Sequence, residues 1–523
     1  MPFFDFHLHP TLKCMFSLDS KKTSPWVDIP VKAIPWPLRW CSDFEYILCS
    51  QSDLDQLSTE QCNLICSALH APERGMTTAK LLLQQAKGSL SQYLNPDELK
   101  IINDPATSPY KLVLDDLEQV LLNPGRFGIT NRKVIVLKKG VAYDPNDTTN
   151  IYLALGIEGC HSLGDTYDPN KLTAAGVIKN LKDLVVSRGY PIITVNLTHL
   201  EQYPLCNHAY GILFVSSETF RPTGKEISPD GVSIVKECYA RKILIDLKHM
   251  SLGARRFLIE KLRPTQEFQP INQPLVCTHA GFTGIGYADI PDYLEYHDVS
   301  GKGYGYVMWN KPKRFDAVNT MTAFNPSSIN LYDEDIMAIL SSGGIIGLSM
   351  DRRILGYSDP SNLPEALNEL AFEEEYISLQ EKGYFLTRDQ GAKMNDDYCI
   401  TTQEVMEGGV VNPDAAFYHL CYFMSHILQL LKVAKDHNYD PAKALTQVCI
   451  GSDFDGIINP IWCCPTVRSL TQFKTDFIKQ FPYFASANQD KVSLPPGFDI
   501  HVFANQLFYE NGKNFLKSRL SLL

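Results

Sequence analysis

Histidines and carboxylates stand in this sequence where they could hold a metal ion or move a proton. His7 and His9 flank Leu8 at the end of an apolar run that begins at Phe3. Side chains alternate along an extended strand, so both imidazoles face one side and can reach one cation. Glu158 follows the apolar run 151–157 (IYLALGI) and precedes Gly159, Cys160 and His161. A carboxylate straight after a buried strand is costly unless it is paired or bound to a cation. Glu158 therefore reads as a carboxylate bridging two metals, and the glycines beside it allow close approach of a ligand. The alternative is a buried Glu paired with a histidine or arginine. His249 follows the run 242–247 (KILIDL), and His279 follows 274–277 (PLVC). Together they suit a second metal held by two imidazoles and the shared carboxylate.

Asp453, in GSDFDG (451–456), is acceptor-only when ionised and suits deprotonating a metal-bound water. Asp455 would share its face if the strand runs on, but Asp453 is nearer the strand end. For the pair, the structural alternative is a turn. His199, at the end of NLTH (196–199), could donate to a developing oxyanion, and Asn207 and His208 in the same loop would line the pocket. His161 reads as a hydrogen bonder that orients a ligand. Any one of these histidines alone is more often a satisfied core residue. Their common position at strand ends carries the argument, because only 13 histidines occur in 523 residues.

Positioning such residues requires short buried strands whose ends meet. Apolar runs fall at 3–8, 63–69, 151–157, 190–196, 242–247, 274–277, 344–349 and 447–451. Continuous apolar strands are what a parallel sheet covered by helices demands. Helical patterns at 171–187, 231–241, 333–342 and 414–437 lead into the later runs. In the last, Phe417, Leu420, Cys421, Met424, Ile427, Leu428 and Leu431 recur at helical spacing, and Asn412 before Pro413 is a start signal. The alternation predicts an α/β fold: a (β/α)8 TIM-type barrel of the metal-dependent hydrolase kind, with an open doubly wound sheet as the structural alternative. Residues 1–523 read as one domain with insertions near 73–150, 284–328, 351–409 and 460–496. In a barrel, loops after strands lie on the active-site face.

Composition narrows the partners. Hydrophobic residues make up 44% and charged residues 20%, an ordinary globular balance, and the net charge of −11 disfavours nucleic acid and anionic lipid. The 14 cysteines are scattered, many in apolar runs, as reduced core thiols would be. No apolar run is long enough to span a bilayer, and the amino terminus has no basic leader, so a cytoplasmic location is expected.

At GIEGCHSL (156–163), LTH (197–199), LIDLKHMS (244–251), THA (278–280) and GSDFDG (451–456) the chain resembles the membrane (renal) dipeptidase family of zinc peptidases, within the amidohydrolase superfamily. GKNFLKSRL (512–520) is a weaker match. The resemblance implies that Glu158 bridges two zinc ions, that His249 and His279 hold the second, and that His7 and His9 hold the first. It further implies that Asp453 handles the proton of the bridging water and that His199 contacts the scissile carbonyl. There are two departures. The family's first motif is usually His-x-Asp, and His9 stands in place of the carboxylate, removing a negative charge from the first metal site. The family's substrate-gripping arginine has no match at Ser328-Ile329-Asn330-Leu331; Arg352, Arg353 or Arg314 could substitute.

The expected reaction is hydrolysis of a small amide or dipeptide-like molecule by a hydroxide shared between two divalent metals, with zinc the expected metal. Cleavage of a lactone, ester or cyclic amide is the alternative that the missing arginine favours. A non-catalytic barrel used for binding is the third reading. A homodimer is the candidate assembly.

Overall fold

The computed structural model describes residues 2–19, 23–33, 47–81, 90–211, 215–299, 301–317, 320–356, 372–386 and 415–521. Each predicted apolar run contains or leads into a strand: β1 Phe4–Leu8, β2 Leu64–Leu69, β3 Ile151–Ile157, β4 Ile192–Asn196, β5 Leu244–Asp246, β6 Cys277–Ala280, β7 Ile346–Leu348 and β8 Val448–Ile450. All their residues are buried, which is why they lack alternation.

Every pairing among these strands is parallel. β1, β2, β3, β4 and β5 lie in that order, with a short strand, Val134–Val136, beside the start of β3. β6, β7 and β8 form a second parallel sheet. The two sheets meet along both edges. At one seam Asp246 bridges Val276, and Leu247 N–H donates to the Val276 carbonyl at 2.9 Å. At the other, Leu8 bridges Phe454, and His9 N–H donates to the Phe454 carbonyl at 3.0 Å. Phe4, Cys66, Ala154, Ile193, Leu244, Val276, Ile345 and Cys449 form one apolar cluster to which every strand or its lead-in contributes.

Helices precede the later strands as the sequence predicts. They are α1 Ala174–Lys182, α2 Pro229–Ala240, α3 Asp333–Ser341 and α4 Ala415–Asp436. Thr173 and Ser228 cap α1 and α2 by accepting from Gly176 and Gly231 N–H, and Pro229 sits in the first turn of α2. The stripe of α4 from Leu420 to Leu431 lies in the main core. Its predicted start at Asn412 and Pro413 falls outside the described residues. A terminal helix, α5 (Asn511–Leu520), packs on β1. A Cβ at Gly512 would stand 2.0 Å from the Phe4 ring, so only glycine permits that approach.

One element is shifted from expectation. The sixth run's strand begins at Cys277, so His279 lies within β6 and not after it. Pro274 has no N–H to enter a ladder, which delays the strand. Leu294–Asp298, Tyr304–Asn310 and Phe372–Ser378 form an antiparallel sheet that joins two of the predicted insertions. Cys62, Cys66, Cys160, Cys206, Cys238, Cys277, Cys421, Cys449, Cys463 and Cys464 form no disulfide. Among the described residues, no helix is long and apolar enough to cross a membrane.

Candidate metal centre

The ends of β1, β3, β5, β6 and β8 bring six side chains to one buried point. The register of β1 slips between Asp5 and Leu8. Beyond the slip, Thr278 Oγ1 lies 2.9 Å from His7 Nδ1, which aims His7 Nε2 at Glu158 Oε1, 3.2 Å away. His9 Nε2 lies 3.2 Å from His7 Nε2 and 3.1 Å from Glu158 Oε2. Glu158 Oε1 also faces the second pair: His249 Nε2 is 3.2 Å from it and 3.2 Å from His279 Nε2. Asp453 closes the ring, with Oδ1 3.4 Å from His9 Nε2 and Oδ2 3.8 Å from His279 Nε2. Two nitrogens bound to one tetrahedral zinc would be about 3.3 Å apart, given Zn–N bonds of about 2.0–2.1 Å. Both imidazole pairs have that spacing, and Glu158 faces both.

Backbone strain helps to aim these groups. His249 (φ 66°) and Asp453 (φ 63°) adopt left-handed conformations that side-chain-bearing residues seldom take. Such residues cost on the order of 1–3 kcal/mol each and cluster at functional sites.

Electrostatics point to the same place. Burial should raise the Glu158 carboxyl, yet His199, His9 and His7 beside it hold it well below the ordinary carboxylate range. Burial pushes the His9 imidazole down, but the Glu158 and Asp453 carboxylates overcome this and pull it up to about 10. Burial lowers His249 and His279 well below the ordinary histidine range, aided by His199 and His7 respectively. Neutral imidazoles are the form that ligates metal. The site thus holds Glu158 as an anion, with His249 and His279 beside it in the neutral form. Clusters His7–His9–Glu158 and Glu158–His249–His279 each have ligand atoms within 4.8 Å of one another.

Beside this centre lies a network that the sequence reading missed in part. His70 and Glu73 join His161 and His199 in a buried group. Glu73 Oε1 hydrogen-bonds His199 Nδ1, and Glu73 Oε2 is 3.3 Å from His70 Nε2. His199 Nε2 then faces Glu158 Oε1 at 3.5 Å. Burial lowers the His199 pKa, but Glu73 and Glu158 carry it above its ordinary value. His161 Nε2 is 2.7 Å from the Ala71 carbonyl, and its ring stacks on Tyr203 at 4.8 Å and 3°. His70 directly follows β2, so the strand-end rule applied to the other histidines would have found it. Glu73 opens an insertion and carried no such signal.

The chain is similar to solved metallopeptidase structures. One is a metallo peptidase from Rhodobacter sphaeroides liganded with a phosphinate mimic of the dipeptide L-Ala-D-Ala: 15% identity, 99% of each chain covered, TM-score 0.47. Another is the dipeptidase AC, a metallo peptidase: 14% identity, 99% of this chain and 98% of that one covered, TM-score 0.46. A third is the probable dipeptidase PvdM from Pseudomonas aeruginosa: 14% identity, 100% and 95% covered, TM-score 0.46. No family model matches the sequence, and no curated protein matches it.

Other expected site residues are engaged elsewhere. Asp455 is turned away: its carboxylate accepts from Gln51 N–H at 2.7 Å, Ser52 N–H at 3.0 Å and Ser52 Oγ at 2.7 Å. Asp453 alone of that pair faces the candidate metal ligands. Arg353 pairs with Glu373 at 2.6 Å and donates to the Gly211 carbonyl at 2.7 Å. The buried Arg352 guanidinium stands 5.4 Å from the Trp462 ring. Asn207 Oδ1 accepts from Gly224 N–H at 3.1 Å, and His208 Nε2 is 2.9 Å from the Phe220 carbonyl. These contacts tie loops together, and none of them joins Asn207 or Arg353 to the histidine–carboxylate cluster. For Arg353 the physical reason is burial: a guanidinium removed from water takes the nearest carboxylate or carbonyl. The Arg314 side chain lies outside the described residues. The segment Ser328–Leu331 is itself pinned by the buried Arg255, which donates to the carbonyls of Ser328 at 2.6 Å and Asn330 at 3.1 Å.

Proposed function

We propose that the two parallel sheets close into a (β/α)8 barrel and that the chain is a metal-dependent hydrolase of small amides, dipeptide-like in its substrates. The observation that carries this reading is Glu158, whose carboxylate stands within 3.2 Å of an imidazole nitrogen from each of two histidine pairs. His7 and His9 would hold one divalent metal, and His249 and His279 the other, with Glu158 between them. Zinc suits such nitrogen- and oxygen-rich sets. Metals bound there lower the pKa of water toward neutrality and polarise a carbonyl.

The chain's own residues do the remainder. Asp453 accepts the proton of the attacking water and delivers it to the leaving nitrogen. His199, held by Glu73, donates from Nε2 to the carbonyl oxygen as charge develops. The engagement of Arg352 and Arg353 by other groups favours a second reading, hydrolysis of a lactone, ester or cyclic amide that carries no carboxylate. Elemental analysis together with a panel of L,L, L,D and β-linked dipeptides, lactones and esters tests both. About two metal equivalents and turnover of dipeptides are expected; full activity in the metal-stripped protein would overturn the reading.

A further inference from the structure

Two of the four candidate metal-ligating imidazoles, one from each pair, lean on the same hydroxyl. Thr278 Oγ1 lies 2.9 Å from His7 Nδ1 and 3.2 Å from His279 Nδ1. The opposite nitrogen of each ring faces the cluster: His7 Nε2 is 3.2 Å from Glu158 Oε1, and His279 Nε2 is 3.2 Å from His249 Nε2. The other two ligands differ. His9 Nδ1 and His249 Nδ1 are buried with no hydrogen-bond partner among the described residues. Thr278 is buried, and the fully buried Asp246 holds it. Asp246 Oδ1 accepts from Thr278 N–H at 3.2 Å and from Lys248 N–H, just before His249, at 3.0 Å. Asp246 Oδ2 accepts from Thr278 Oγ1. These bonds cross the seam between the two parallel sheets, where Asp246 bridges Val276.

We propose that Thr278, held by Asp246, is a positioning residue shared by the two metal half-sites. The assignment rests on the metal-centre reading above. An imidazole that ligates through Nε2 carries its proton on Nδ1 and donates it to a neighbouring acceptor. A hydroxyl has one proton and two lone pairs. Thr278 gives its proton to Asp246 Oδ2, so both lone pairs are left for the Nδ1–H groups of His7 and His279. One side chain thereby fixes the tautomer and the ring direction of a ligand in each pair. Asp246 Oδ1 also pins the backbone on both sides of the seam, ahead of His249 and ahead of His279. The two cation sites are in this way tied to each other by a group that is not itself a ligand.

The test measures zinc binding by chelator competition in the full chain: wild type, Thr278→Val, Thr278→Ser and Asp246→Asn. Valine keeps the shape of threonine and lacks the hydroxyl, whereas serine keeps the hydroxyl. Asparagine keeps the acceptor at Oδ1 and removes the one at Oδ2. Thr278→Val is expected to bind both zinc equivalents about 10–100-fold more weakly than wild type. Thr278→Ser should bind both close to wild type, and Asp246→Asn should weaken both. In spectra of the zinc-loaded protein labelled with ¹⁵N-histidine, the Nδ1 resonances of His7 and His279 should move in Asp246→Asn and Thr278→Val, and those of His9 and His249 should stay. Wild-type affinity in folded Thr278→Val and Asp246→Asn overturns the assignment. So does a loss confined to one equivalent, or a loss in Thr278→Ser as large as that in Thr278→Val. Zinc binding that depends on Thr278, with no amide hydrolysed, keeps the positioning role and overturns the hydrolase reading instead. A wild type that binds no zinc overturns the metal-centre reading, and the assignment with it.

Discussion

Two glutamates, each 1% exposed, sit in different parts of this protein and behave in opposite ways. Glu158 stands at the mouth of the parallel strands among imidazoles, and those neighbours hold its carboxyl well below the ordinary range. Glu375 stands in the antiparallel insertion sheet, where Trp309 Nε1 donates to it at 2.7 Å and Ser328 donates from both N–H and Oγ. Burial wins there and pushes the Glu375 carboxyl up to about 7. At Glu375 the neutral donors do not offset burial, whereas at Glu158 the neighbouring imidazoles do. A buried carboxylate that stays ionised at a strand end therefore marks a place built for cations.

The sharpest way to break the contrast is Glu158→Gln. It removes the anion between the histidine pairs and should lower metal content and kcat/KM together, the latter on the order of 10³-fold. Elemental analysis with steady-state kinetics on the folded variant checks this; retained metal and full turnover would sink the bridging role.

Glu375→Gln tests the other side. Because the Glu375 pKa is raised on folding, its contribution to stability is complete below about 4.5 and lost as pH rises through about 7. Wild type should lose up to about 3 kcal/mol from this group between pH 5 and pH 8, and the glutamine variant should be spared that loss. Denaturant melts at the two pH values decide it. Identical pH dependence in the two proteins would show that Glu375 is ionised throughout.

Smaller effects should come from the network behind the centre. Glu73→Gln leaves every proposed metal ligand in place but removes the carboxylate that holds His199 Nδ1. Activity should fall about 10–100-fold with metal content near wild type. Loss of metal instead would move Glu73 into the coordination sphere. His161→Phe keeps a ring against Tyr203 but leaves the Ala71 carbonyl without its partner. Stability should fall by about 1 kcal/mol, with activity within about tenfold of wild type. A larger loss of activity would place His161 in the site.

How far the site could be read from sequence varied with the kind of signal. His7, His9, Glu158, His249 and His279 are polar residues at or beside the ends of apolar runs, and those runs became the parallel strands. His70 obeys the same rule and was overlooked beside the longer motifs. Glu73 follows no strand and gains meaning only through His199, 126 positions away. Arg352 and Arg353 were plausible by charge and nearness to β7, but charge does not reveal a partner such as Glu373.

By itself the sequence determined the strand ends and which side chains stand on them. Hydrophobic runs select buried parallel strands, and a costly polar group beside such a run declares a function locally. Tertiary structure decided everything that depends on direction and pairing. It turned Asp453 toward the candidate metal ligands and Asp455 toward Ser52, and committed Arg353 to Glu373. Such outcomes depend on which groups meet after the chain has closed, because a buried charge is governed by neighbours a few ångströms away in space and not by those next to it in sequence.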